Sequence, residues 1–85
     1  METTQVRLLD YGDVVRGLKA GRKFARQGWN GKGLYVQLHG SVPAVTLTGD
    51  PKFLDKFFVI VNGDRVNTWV ASVSDTLAED WFEVL

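Results

Sequence analysis

Phe57-Phe58-Val59-Ile60-Val61-Asn62-Gly63-Asp64-Arg65-Val66-Asn67-Thr68-Trp69-Val70 is the stretch on which the fold is decided. Its first five residues are all aromatic or β-branched, which reads as a buried strand. Asn62-Gly63-Asp64 is a hairpin signal of the Asn-Gly type, and Arg65 to Val70 is the partner strand.

Downstream of this hairpin, Ser72 followed by Asp75 has the form of a capping arrangement before a short helix, Asp75-Thr76-Leu77-Ala78-Glu79. Trp81-Phe82-Glu83-Val84 then closes the chain as a last strand. Upstream, Lys23-Phe24-Ala25-Arg26 and Leu34-Tyr35-Val36-Gln37-Leu38 each alternate as strands do. Between them lies Gly28-Trp29-Asn30-Gly31-Lys32-Gly33, where glycine allows positive φ and lets the turn present Trp29 outward. Asp10 caps a helix whose residues Tyr11, Val14, Val15 and Leu18 form one apolar stripe, and Gly21 stops it. Gly12 and Gly17 weaken that helix by roughly 1 kcal/mol each relative to alanine, so it must lean on tertiary packing. From His39 to Asp55 the signals fade, and Pro43, Pro51, Gly40 and Gly49 predict an irregular or edge-strand region. The expected fold class is α+β, with a small antiparallel sheet packed by an N-terminal helix and a short helix before the last strand.

Eighty-five residues suit a single domain, 1–85, with a modest core. There is no cysteine, so neither a disulfide nor a thiolate metal site can reinforce that core, and self-association is the available route. Absence of cysteine also fits a reducing cytoplasm. The longest apolar run, Phe57 to Val61, falls far short of the roughly 20 residues of a membrane span, and Met1 to Gln5 do not read as a secretion signal. A soluble protein that stays where it is made is expected. Ten basic and ten acidic side chains cancel, which argues against binding long nucleic acid through its phosphates. Arg16, Lys19, Arg22, Lys23, Arg26 and Lys32 nevertheless all precede Gly33, while Asp75, Glu79, Asp80 and Glu83 crowd the end.

Catalytic chemistry finds little footing. His39-Gly40-Ser41 lacks the strand-turn-helix setting of a nucleophile elbow, so His39 reads as a loop histidine. Asp75, Glu79 and Asp80 are too few for a hard-cation site and read better as carboxylates answering a helix dipole. Gly28-x-x-Gly31-Lys32-Gly33 fails as a Walker loop in its spacing and in the missing hydroxyl after the lysine. No catalytic residue, cofactor or metal is expected. Phe24, Phe57, Phe58 and Trp81 are expected in the core. Trp29 stands among Arg26, Gln27, Asn30 and Lys32, so its ring can stack a base while Asn30 hydrogen-bonds and Arg26 or Lys32 meets phosphate. The pattern alone leaves this open against a Trp29 folded into the core or a subunit interface. Trp69, with Thr68 and Ser72 beside it, is a second candidate of the same kind.

Together, Gly28-Trp29-Asn30-Gly31-Lys32-Gly33 and the later Trp69-Val70-Ala71-Ser72, Asp75 and Leu77-Ala78-Glu79-Asp80-Trp81 resemble the two signatures of a small phage-encoded family, the Thoeris anti-defence sponges of the second type. The Leu18-Lys19-Ala20-Gly21-Arg22 helix end and Ala25-Arg26 fit as well. The resemblance implies an α+β protomer that assembles as a dimer of dimers in the cytoplasm of the infected host. Its partner would be a small nucleotide second messenger, glycocyclic ADP-ribose, held without cleavage in pockets shared between protomers. Some relatives are similarly understood to hold cyclic oligonucleotides. By the same resemblance Trp29 and Asn30 belong to the pocket, with Trp69, Ser72 and Asp75 beside it. This chain departs from the family pattern in Asn67-Thr68 ahead of Trp69, in Val73-Ser74, and across Ser41 to Lys56. The alternatives are a structural or protein-interaction module of a phage and a messenger-degrading enzyme.

Overall fold

The structure, a computed structural model, describes residues 8–29, 33–40, 42–45 and 48–85, with the backbone alone for 42–45. The chain runs α1 (Tyr11–Lys19), β1 (Lys23–Arg26), β2 (Tyr35–His39), β3 (Val42–Val45), β4 (Pro51–Leu54), β5 (Phe57–Asn62), β6 (Arg65–Thr68), α2 (Val73–Leu77) and β7 (Trp81–Val84). Five of the strands form one antiparallel sheet in the order β6-β5-β2-β1-β7. The α+β class expected from the sequence is the class observed.

α1 begins where a carboxylate can satisfy its free amides. Asp10 Oδ1 accepts from the Asp13 N–H at 2.9 Å, and Asp13 Oδ2 accepts from the Asp10 N–H at 3.3 Å, a complete capping box. The helix ends in a Schellman motif, with the Arg22 N–H on the Gly17 carbonyl and the Gly21 N–H on the Leu18 carbonyl, both at 3.0 Å. Val14 and Leu18 are fully buried against Phe24, Val36 and Trp81 and Tyr11 packs beside them, whereas Val15, the fourth residue of the stripe read in the sequence, is half-buried outside that cluster. Gly17 has a role that propensity hides. A Cβ there would overlap the Phe24 ring, so glycine is what lets α1 lie close on β1.

The β5–β6 hairpin is present, with its turn one residue later than the Asn-Gly reading. Asn62 pairs with Arg65, which leaves Gly63 and Asp64 as the central residues. Gly63 has φ 62° and, among the described residues, no non-glycine residue has positive φ, so the turn is a type II′ form needing glycine first. Trp69 and Val70 lie beyond β6, β2 is shifted one residue to Tyr35–His39, and α2 begins at Val73 rather than Asp75. Ser72 is the N-cap of α2, and Asp75 is therefore its third residue, not its first.

Register sorts the side chains between two faces. Phe24, Val36, Ile60, Leu38, Phe58 and Trp81 share the face covered by α1. Phe57 lies on the other face, where its ring stacks on His39 at 5.2 Å, so the expected core role of Phe57 gives way to a place outside the α1 core. Tyr35, Val61, Phe82 and Val84 accompany it there, half-buried, with Ala25 and Val59 buried among them. The 39–55 region is more regular than its prolines suggest: β3 and β4 pair with each other as a two-stranded ladder separate from the main sheet. Pro51 begins β4, and Pro43 belongs to an edge strand, the positions a residue without N–H tolerates. Phe53 on this arm is 75% exposed.

Candidate functional site

β6 and β7 lie at opposite edges of the sheet, so residues 69–80 must cross the sheet to connect them. The crossing carries Trp69 and α2 toward the turn that follows β1. The two separated tryptophan-bearing signatures meet there.

Trp81 is the anchor. It is fully buried, and its indole N–H donates to the Asp75 carbonyl at 2.9 Å, which satisfies the one polar group of a buried tryptophan. Trp29 stands edge-on to Trp81 with centroids 5.2 Å apart, and Trp69 does the same at 6.0 Å. Trp29 and Trp69 are themselves 6.4 Å apart at 69°. Tyr11, from the first turn of α1, completes the group at 5.8 Å from Trp81 and 6.3 Å from Trp69. All these separations lie in the range of favourable aromatic pairing. Trp29, Trp69 and Tyr11 are half-buried. Trp29 is thus neither a freely presented ring nor a core residue. It is half-buried and packs against the core cluster.

Beside the aromatic group lies an ionic cluster. Arg26 Nε donates to Asp80 Oδ1 at 2.9 Å and Arg26 Nη1 to Asp75 Oδ1 at 3.0 Å. Asp75 Oδ2 accepts from the Ser72 N–H at 2.9 Å while the Asp75 N–H donates to Ser72 Oγ at 3.1 Å, the capping box of α2. Asp80 Oδ2 accepts from the Gly28 N–H at 3.0 Å, and the Asp80 carbonyl accepts from the Gln27 N–H at the same distance. Gly28 takes no positive φ; it is a point of close approach, where a Cβ would stand 3.2 Å from Asp80 Oδ2.

These contacts set the charges. Hydrogen bonds from Arg26 hold the Asp80 carboxyl below its ordinary range, against a smaller opposing effect of burial. For Asp75 burial is the largest single influence and acts upward, but the Ser72 N–H, Arg26 and the Ser72 hydroxyl together outweigh it and hold the carboxyl low. The same bonds, Asp80 first, push the Arg26 guanidinium up. Burial raises the Tyr11 phenol, and the Asp75 charge adds to it. Both carboxylates and the guanidinium are therefore charged at neutral pH.

Of the residues singled out in the sequence, Arg26, Trp29, Trp69, Ser72 and Asp75 come together at this end of the sheet; Asn30 and Lys32 lie outside the described residues. Sequence reasoning treated Asp80 only as a helix carboxylate or cation ligand and Tyr11 only as part of the helix stripe. A signal for Asp80 was available: Arg26 alternates onto the same strand face as Phe24, and a guanidinium so placed needs a carboxylate partner. His39 is exposed, with Nδ1 2.9 Å from the Gly40 carbonyl oxygen, and its side chain lies with Phe57 on the sheet face opposite the tryptophans.

The chain matches the model of the Thoeris anti-defense 2-like domain over residues 9–84. It is similar to Thoeris anti-defense 2 of Bacillus phage SP01, at 31% identity over 81 residues, covering 86% of this chain and 91% of the relative. The chain belongs to the Thoeris anti-defense 2-like family.

Proposed function

We propose, with that family membership as the premise, that the protein is a phage anti-defence factor that binds a cyclic nucleotide-type immune messenger and sequesters it uncleaved. The messenger class is glycocyclic ADP-ribose, with cyclic oligonucleotides as further candidates. The observation that carries this reading is the convergence of Trp29 and Trp69, half-buried residues from two distant signatures, on the buried Trp81. A rigid aromatic surface with part of its area open can stack a base for about 1–3 kcal/mol, and stacking involves no bond cleavage. In this reading Trp29 and Trp69 supply the stacking surface. Asn30 and Lys32, which follow Trp29 in the sequence, supply a hydrogen bond and a positive charge to the phosphates.

The protein acts in the cytoplasm of the infected host. Among the described residues no helix is long and apolar enough to cross a membrane, which is compatible with that site of action. Assembly as a homo-oligomer, a dimer of dimers, draws support from the sheet face away from α1, where Tyr35, Phe57, Val61, Phe82 and Val84 offer half-buried apolar surface to a second copy. A second protomer would provide the other wall of the pocket. Native mass spectrometry of the protein isolated from cells that express the defence system's TIR-domain enzyme tests the proposal. A mass increment equal to the intact messenger is expected, and a protein that emerges empty from such cells would oppose it.

A further inference from the structure

We infer that Asp80, together with Arg26 and Asp75, is a positioning clasp for the ligand-bearing turn and that these three side chains make no contact with the ligand. The inference deepens the binding reading above and rests on it. Its basis is the way Asp80 grips the turn. Three acceptors of this one residue engage three successive residues, the last of β1 and the first two of the turn: Oδ1 takes the Arg26 guanidinium, the carbonyl takes the Gln27 N–H, and Oδ2 takes the Gly28 N–H. The next residue is Trp29, whose own N–H returns to the Arg26 carbonyl at 3.2 Å. Arg26 then ties the same assembly to the N-terminal cap of α2 through Asp75.

Two further facts assign positioning rather than contact. The side chains of Arg26, Asp75 and Asp80 are 21%, 13% and 29% exposed, and all four carboxylate oxygens are already engaged, two by Arg26 and one each by the Ser72 and Gly28 amides. One guanidinium also faces two carboxylates, leaving the cluster with a net negative charge (+1 − 2 = −1), which repels a diphosphate. Ligand phosphates are therefore met elsewhere. Gly28 belongs to the same device, since a side chain there would press on Asp80 Oδ2.

The test compares wild type, Asp80→Ala, Asp80→Asn and Arg26→Gln by calorimetric titration with glycocyclic ADP-ribose at several salt concentrations. Amide hydrogen exchange is measured on the same proteins without ligand, at a temperature where each is folded by circular dichroism. In Asp80→Ala the Gly28 amide is expected to lose protection while the core amides of Phe24 and Val36 keep theirs, and binding weakens by roughly tenfold or more. Asp80→Asn, which retains one carbonyl acceptor, falls between. Arg26→Gln, which removes the charge, weakens binding without flattening its salt dependence, because no phosphate contact is removed. Unchanged Gly28 protection in Asp80→Ala, or a flattened salt dependence in Arg26→Gln, would overturn the clasp. If wild type itself takes up no glycocyclic ADP-ribose, the binding proposal fails, and the Gly28 exchange comparison still decides whether Asp80 orders the turn.

Discussion

The rings of Trp29 and Trp69 stand 6.4 Å apart, edge to face, although one follows β1 and the other leaves β6 on the far side of the sheet. Their meeting is a product of the crossover that carries residues 69–80 from one sheet edge to the other. If this pair forms the stacking surface, truncating either ring should cost about 1–3 kcal/mol of binding, or about 5- to 150-fold in Kd. Trp29→Ala and Trp69→Ala titrated against glycocyclic ADP-ribose should show that loss with far-ultraviolet circular dichroism unchanged, and Trp29→Phe should retain part of the affinity.

Trp81 serves the fold first. Replacing it with alanine should destabilise the domain by about 3–5 kcal/mol through the cavity it leaves. Trp81→Phe keeps much of the volume but strands the Asp75 carbonyl, and should cost about 1–3 kcal/mol in urea unfolding.

Gly17→Ala separates propensity from packing. Helix propensity alone favours alanine by about 1 kcal/mol, whereas crowding the Phe24 ring in a packed core costs about 1–3 kcal/mol. The net effect should be a lower melting temperature, and a second change, Phe24→Leu, should restore part of the loss.

The ionic cluster sets an acid limit. Asp75 and Asp80 have folded-state pKa values below their unfolded ones, so their stabilisation is complete above the unfolded value near about 4 and is lost as pH falls through the lower folded values. Urea midpoints measured from neutral pH down to about 2 should be flat at first and then decline. Asp80→Asn should reduce the size of that decline.

Much of this was legible in the sequence, because the elements concerned are specified locally. Asp10 and Asp13, the Tyr11 to Leu18 stripe, and the apolar run before Gly63 each act over a few residues. What escaped depends on contacts between distant segments. Arg26 reads as a free cation on β1 because its partners, Asp75 and Asp80, lie beyond three intervening hairpins and turns. Gly17 reads as a weak point because only the ring of Phe24, across a helix end, explains it. The β3–β4 arm was hidden by Pro43 and Pro51, which break local strand patterns yet sit where an edge ladder accepts them. Phe57 was assigned to the α1 core because a continuous apolar run carries no face information; its register with His39 supplies it.

The central claim is capture of the messenger without chemistry. It is tested most directly by calorimetric titration of the purified protein with glycocyclic ADP-ribose, followed by heat denaturation and mass analysis of what is released. Saturable binding and recovery of the intact cyclic molecule are predicted. An absence of binding heat, or the release of a cleaved product, would contradict the account.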